Sequence, residues 1–478
     1  LSTPAPATGQ EAKKQLRREM GFWDVLLFNI AAVLGPRWIA SAAYNGTSSI
    51  SLWILAAVLF FIPSAFVVSE LSSRFPAEGG VYVWCKEAFG EFHGFVAGWA
   101  YWIYTVFYFP SLLMASLAMS AYAAGARGAD LSTNRAFLVI GSLVVLAIAV
   151  WFNIVGLRVG KWLQNAGGIG TYIPLLLLTG VAIAFAMTHG AVTHFTWQNI
   201  LPGRIDFGKV NFWSSIAFGF AGLELVAFMG EEIHDAARTI PKAIFGSGIL
   251  IAIIYLVGTV CVLLILPAPT VNNAAGVFQA LAVGSKLLGV AVIGIIAAIL
   301  VTVGNLGGVG TTVAGVARIP FVVGIDRYMP EAFGKIHPRW RTPYVAMLVQ
   351  AIASAVILVA FQWRESTAGA YQILIDATVI LNFVPYLYMY AAAIKLGMRS
   401  DRGSNPEAIL IPGGKAGPWI AGSLAFGVTL LAIIVAMIPP DNIENKPLFE
   451  LKLIGSTVIA LLIGLVMYWR GARQKAAA

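Results

Sequence analysis

A carboxylate and a guanidinium stand in stretches of this chain that are otherwise too apolar to hold a charge. Glu224 lies two residues after Gly222 in the run 214–243, SSIAFGFAGLELVAFMGEEIHDAARTIPKA. Arg37 follows Gly35 and Pro36 in the run 25–44, VLLFNIAAVLGPRWIASAAY. A charge at bilayer depth costs roughly 2.5–3.5 kcal/mol on insertion scales, so each needs a partner, a proton or water. Gly35-Pro36 and Gly222 are also the places where a helix can lose its regular backbone. A helix interrupted there leaves carbonyls free at one end and N–H groups at the other. A zwitterion offers an ammonium and a carboxylate to match them. Two interrupted spans at corresponding positions of two halves point to a transporter's binding site.

The elements that must hold these groups are membrane helices. The 478 residues are 59% hydrophobic and 11% charged, against about 25% charged in soluble chains. That excludes an ordinary soluble core and sets the class as an all-α polytopic membrane protein. Cys85 and Cys261 make neither a metal spacing nor a disulfide framework. No metal site and no cofactor is implied. The run 304–310, GNLGGVG, lacks the Gly-Lys-Ser/Thr of a phosphate loop. EEIH at 231–234 is not a zinc pattern. The net charge of +9 is no nucleic-acid signal, because the basic residues sit in short loops. Residues 1–20 lack a signal peptide's apolar core and read as a disordered cytosolic tail.

Apolar runs give twelve spans, at roughly 23–46, 50–72, 90–124, 135–155, 162–188, 211–234, 240–266, 285–324, 343–362, 370–396, 416–438 and 450–470. The third and eighth are overlong and suggest tilted or interfacial extensions. Residues 274–288 read as a short helix over the outer mouth. With the N-terminus inside, 22 Lys and Arg fall on the cytosolic side and 8 outside, which places both termini in the cytosol. Residues 21–190 and 205–400 each hold five spans, the first of each set being the broken one. An odd number of spans per unit sets the halves in opposite orientation, an inverted repeat. Residues 412–470 add two spans and 471–478 a cytosolic tail. Glycines such as Gly94, Gly98, Gly167, Gly168, Gly170, Gly304, Gly307 and Gly308 are read first as sites of close helix approach.

The motifs resemble those of the amino acid–polyamine–organocation superfamily of permeases. Glu70-Leu71 and the run 74–82, RFPAEGGVY, resemble its loop after span 2, continued by Phe89-Gly90, Gly94-Phe95 and Gly98-Trp99. In span 6 the match runs through 220–224 (FAGLE), Glu231-Glu232 and 238–244 (RTIPKAI). After span 8 it includes Arg318, Asp326, Met329-Pro330, Phe333, His337-Pro338-Arg339 and Thr342-Pro343. Phe61-Ile62-Pro63 and Glu78-Gly79-Gly80 look like the glutamate/GABA antiporter branch. The similarity covers about residues 20–400. It implies a LeuT-like fold of five plus five spans with two appended, and a secondary-active carrier of amino acids, coupled to protons or exchanging substrates. Polyamines and other organic cations are the alternative cargo. The resemblance also implies a charge lattice between the acidic end of span 6 and the basic loop 335–341.

The chain departs from this family at the first break. Gly35, Pro36 and Arg37 stand where relatives usually read Gly-Ser-Gly, whose backbone N–H groups hold the substrate carboxylate. Proline removes one donor, and arginine brings a fork of five suited to a carboxylate. Arg37 is therefore either the carboxylate receptor or an ion-pair partner of Glu224. The candidate substrate site comprises Leu34, Gly35, Pro36, Arg37 and Trp38 of span 1, Tyr101 of span 3, and Phe218, Phe220, Ala221, Gly222, Leu223 and Glu224 of span 6. Carbonyls of 220–223 would receive an ammonium. Phe218 takes the place of a gating aromatic in related antiporters; for it, Trp38 and Tyr101, ordinary packing is the competing reading. For coupling, Val316 and Ala317 replace the hydroxyls that sodium-using relatives carry, and neither ligates a hard cation. Thr171 occupies the position of a proton-carrying lysine found in some relatives and cannot carry a proton. Glu224 is the leading proton carrier and Asp376 the second candidate; exchange without any ion is equally compatible. A membrane enzyme should show paired catalytic groups at one interface, and none appear. A transporter-like sensor should carry an added soluble domain, for which the flanking segments are short.

Overall fold

In lipid every backbone polar group must be satisfied within the chain, and this chain does so almost entirely with helices. The computed structural model describes residues 20–477 except 78, 156, 204–206, 317–327, 341, 363–366 and 440–444. Expectations for residues 1–19, Glu78, Ala317, Arg318, Asp326 and Arg341 lie outside the described residues. Among the described residues eleven helices are long and apolar enough to cross a membrane. The first, Phe22–Tyr44, consists of α1 (Phe22–Val33) and α2 (Pro36–Tyr44). Then come α3 (Ser49–Arg74), α4 (Val81–Phe89, too short to span), α5 (Glu91–Ser120), α6 (Arg135–Val155) and α7 (Leu157–His189). After them follow α8 (Phe207–Phe218), α9 (Ala236–Ile265), α10 (Gly276–Leu287), α11 (Val292–Val316) and α12 (Tyr344–Phe361). The chain closes with α13 (Thr367–Gly397), α14 (Ala416–Ala436) and α15 (Lys446–Ala477).

Twelve spans are expected with the first and sixth broken, and the sixth is the one missing from these eleven because it is cut in two. Residues 211–234 form the end of α8 and a 3₁₀ segment, Leu223–Glu232, separated by a turn at 219–222. Neither half reaches the ~20 residues a bilayer crossing needs. The eighth span is also corrected. Residues 285–287 belong to α10, and the chain turns at Gly289 (φ 76°) before α11 begins at Val292. Only glycine takes that backbone without strain. The expected short helix at 274–288 is α10, which packs on α2, where a Cβ on Gly276 would stand 3.2 Å from that of Ala40.

The glycine-rich stretches of α7 and α11 do what small residues do in lipid. A Cβ on Gly167 would lie 2.6 Å from Gly307 Cα, and one on Gly170 would lie 2.8 Å from the Gly304 nitrogen. The two helices thus meet backbone to backbone, the reading the sequence favoured. In α3, Pro63 cannot donate, and its ring crowds the preceding turn. The helix widens there into a π-turn, Ala57–Phe61, with Ile62 N–H bonded to Ala57 O. That turn buries Phe61 against Gly248, where a Cβ would meet its ring.

One end of the bundle is held by charge. Glu70 accepts from Arg402 Nε at 2.8 Å and Nη2 at 2.6 Å, from Arg74 at 3.2 Å and from the Ile411 amide at 2.9 Å. All three charged side chains are buried. Arg399–Glu87 and Arg238–Glu407 bind the same connection, 398–411, to α4 and α9. The lattice expected between the acidic end of span 6 and the loop 335–341 involves Arg341, which lies outside the described residues. Lys335 and Arg339 pair with no carboxylate among the described residues, and Arg339 rests on Trp340 instead. At the same end Met20 N–H donates to Glu232 O at 3.2 Å, and His234 N–H donates to Met20 O at 2.9 Å. A single bridge of sheet type thereby fastens the entry of α1 to the exit of the 3₁₀ segment.

Candidate substrate site at two helix breaks

The first break is two residues long, Leu34 and Gly35, both extended. Pro36 is not unwound, as the sequence suggested, but opens α2. A proline at the first helical position loses only an N–H that had no partner, and its ring fixes the helical φ. Arg37 and Trp38 therefore sit in the first turn of α2. The second break spans Gly219 to Gly222. Amides of Gly219, Phe220 and Ala221 close short turns onto Ile216, Ala217 and Phe218 carbonyls. Gly222 then takes φ 112°, a conformation open to glycine.

Tyr255 of α9 ties the breaks together. Its hydroxyl accepts from Gly35 N–H at 3.2 Å and lies 2.8 Å from Val33 O and 2.9 Å from Gly219 O. With one proton to donate, it shares that proton between the two carbonyls. The Gly35 amide, expected to face a substrate, is satisfied internally by this hydroxyl.

Glu224, 1% exposed, sits just past Gly222. The hydroxyls of Tyr101 on α5 and Tyr386 on α13 donate to its two oxygens, and Gly222 N–H approaches Oε2 at 3.3 Å. The same amide donates to Tyr386 Oη at 2.7 Å. No cation among the described residues contacts this carboxylate. Tyr101 thus serves as its partner, and its ring packs 4.6 Å from Phe228.

Arg37 points elsewhere. Its guanidinium lies 4.4 Å from the Trp38 ring centroid and 5.2 Å from that of Tyr108, with Nη1 3.5 Å from Ser111 Oγ. The Tyr108 and Tyr371 hydroxyls stand beside it. It is 3% exposed, and its Nε has no hydrogen-bond partner. The direct Arg37–Glu224 ion pair entertained from sequence is not formed. Each charge is buried among neutral groups.

The remaining predicted residues divide. Leu34, Gly35, Arg37 and Trp38 line a small cavity against the first break, together with Tyr108, Thr171 and Asn305. Phe218 makes edge contacts with Trp38 at 5.4 Å and Phe383 at 5.8 Å, an aromatic layer beside the breaks. Phe220 is buried between Trp53, Phe61 and Tyr255, which is packing. Ala221 is half-buried and Leu223 buried. Thr171 spends its hydroxyl on Gly167 O at 2.9 Å. Asp376 is buried on α13, where Gln372 donates to it at 3.0 Å. It stands apart from Glu224. Sequence reading missed Tyr255, Tyr386, Tyr108, Ser111 and Asn305. Nothing in their local sequence separates a site tyrosine from a packing one.

Gly222 offers a direct check on the second break. A Cβ there would add strain at φ 112° and stand 3.3 Å from Val33 Cγ2. Gly222→Ala is expected to destabilise the fold by about 1–3 kcal/mol. A lowered thermal midpoint of the detergent-solubilised protein reads this out, and an unchanged midpoint would mean that the turn is not strained.

Helices broken around a buried polar centre, in a bundle of membrane-length helices, define a polytopic membrane permease. The chain belongs to the amino acid permease family, whose model matches residues 20–467. It is 29% identical over 453 residues to an uncharacterized transporter of Legionella pneumophila, covering 94% of this chain and 96% of that protein. It is 27% identical over 401 residues to the serine/threonine exchanger SteT of Bacillus subtilis, covering 80% and 84%. The probable agmatine/putrescine antiporter AguD of Lactococcus lactis is 24% identical over 455 residues, covering 94% of each chain. The family and these relatives are transporters.

Proposed function

We propose that the protein is a secondary-active amino acid carrier of the cell membrane. It works by alternating access as a proton-coupled symporter or an exchanger, with both termini in the cytosol. In this reading 21–190 and 205–400 are inverted five-span repeats of LeuT-like fold, 412–470 adds two spans, and 1–20 and 471–478 are tails. The substrate lies between the breaks at 34–35 and 219–222, its carboxylate on Arg37 and its ammonium near Glu224 and the carbonyls of span 6. The observation that carries this reading is the separation of two buried charges of opposite sign beside the two breaks. A buried charge without a counter-ion is costly, and a zwitterion supplies both counter-ions at once.

A dicationic cargo is the second reading, favoured by the similarity to an agmatine/putrescine antiporter. Arg37 opposes it, since a second cation would meet a guanidinium rather than a carboxylate. The deciding experiment is a thermal-shift screen of the purified protein against L-amino acids, putrescine and agmatine. A ligand at a hundred times its Kd stabilises by about 2.7 kcal/mol. Stabilisation by amino acids, followed by their uptake into proteoliposomes, is the expected result. Stabilisation by the diamines alone would replace this reading with the second.

A further inference from the structure

The cavity at the first break has a wall that neither the family motifs nor the charges above account for. Its far side is made by α11, where Gly304 and Gly308 flank Asn305. Asn305 is 8% exposed, and among the described residues its amide nitrogen donates to the Met119 thioether sulfur at 3.9 Å. A thioether is a weak acceptor, so the amide nitrogen of this buried carboxamide is only weakly bonded. Arg37 Nε, buried and without any partner, belongs to a residue lining the same cavity. Thr171, the other polar lining side chain on that side, already donates to Gly167 O. The remaining walls there are glycine, Ala31 and Leu112, and no carboxylate among the described residues lines the cavity. Two under-used polar side chains thus share a space with room for about one water molecule.

We infer that Asn305 is a specificity-determining residue, which with Arg37 Nε reads a hydroxyl on the substrate's side chain. The inference rests on the substrate site proposed above and narrows its cargo to small hydroxyl-bearing amino acids. A hydroxyl is both donor and acceptor. It accepts from Arg37 Nε–H or the Asn305 NH2 and donates to the Asn305 carbonyl oxygen. The polar groups there, a guanidinium N–H and a carboxamide, match a single hydroxyl oxygen. A substrate that lacks the hydroxyl leaves Arg37 Nε unpaired and Asn305 with its weak thioether contact, and a site built around such groups discriminates against it. The glycines on either side of Asn305 serve the same end, since Gly304 lets α11 meet α7 at Gly170 and Thr171 and Gly308 lets it approach the Ala31 carbonyl of α1.

The test compares L-serine with L-alanine, which differ by that hydroxyl alone. In binding measured on the purified full-length protein, serine is expected to bind at least tenfold tighter than alanine. In Asn305→Leu, of similar volume, this ratio falls to within about twofold of unity. The thermal midpoint of the variant, expected within a few degrees of the wild type, establishes separately that it is folded. Asn305→Ala carries the same comparison should the leucine variant not yield folded protein. Wild-type protein that binds amino acids without preferring serine would overturn the inference and leave the proposed function standing. So would a variant that keeps the wild-type ratio. Failure of every amino acid to bind would instead remove the proposed function, and this inference with it.

Discussion

Glu224→Gln is expected to lose gradient-driven uptake by a hundredfold or more in proteoliposomes while keeping its fold. Glutamine has the length and shape of the carboxylate it replaces. Its carbonyl oxygen still accepts from one of the hydroxyls of Tyr101 and Tyr386, and its NH2 donates to the other, since a phenol is also an acceptor. The thermal midpoint therefore moves by only a few degrees. What the amide lacks is the ability to bear a negative charge and to exchange it for a proton. Two assays separate those roles. Loss of pH-gradient-driven uptake with retained substrate exchange identifies Glu224 as the proton carrier. Loss of both identifies it as the counter-charge for the substrate's ammonium. Uptake and exchange at wild-type rates would exclude Glu224 from transport altogether. Tyr101→Phe and Tyr386→Phe serve as companions, each removing one donor to the carboxylate. Both are expected to lower uptake by a smaller factor, because the other tyrosine and the Gly222 amide remain.

How much of this site was legible beforehand follows from what interrupts a pattern. Gly35-Pro36 and Gly222 stand out in apolar runs because they change what the backbone can do, and Glu224 and Arg37 because they do not belong in lipid. The breaks were accordingly found to within one or two residues. Pro36 misled by a single position. Proline ends regular structure on its N-terminal side but begins it on the other, so the unwound pair is Leu34 and Gly35. The partners were illegible for a different reason. Tyr255 reaches Val33 and Gly35 across some 220 residues of chain, and Tyr386 reaches Glu224 across 162. Nothing near either tyrosine records which helix will face it. The clasp at Glu70 shows the same limit. Arg74, four residues on, was within reach of a helical argument, whereas Arg402, 332 residues away, was not. The α7–α11 seam was legible because both sides carry glycines, and that composition has few uses in a membrane helix other than close approach.

Arg37→Met should separate stability from binding. In the unliganded protein the guanidinium lies among aromatic rings, one serine and two tyrosine hydroxyls, with no carboxylate among the described residues. Desolvating a cation without an anion is unfavourable, and replacing buried charged groups by well-packed apolar ones of similar volume is often neutral or stabilising. Methionine fills much of that volume and adapts its shape. The variant is therefore expected to unfold at the same temperature as the wild type or higher. Its amino acid affinity should fall by about thirtyfold or more, since truncating one side of a buried charge pair costs about 2–5 kcal/mol. A structural residue would behave in the opposite way, losing stability first and affinity only as a consequence. Arg37→Lys refines the result. A lysine keeps the charge but not the planar fork, so it should recover part of the affinity without the wild-type discrimination between serine and alanine. Thermal unfolding with and without saturating amino acid measures both quantities in one experiment. Wild-type affinity in Arg37→Met would show that the substrate carboxylate is held elsewhere. A fall in stability comparable to the loss of binding would assign Arg37 to packing.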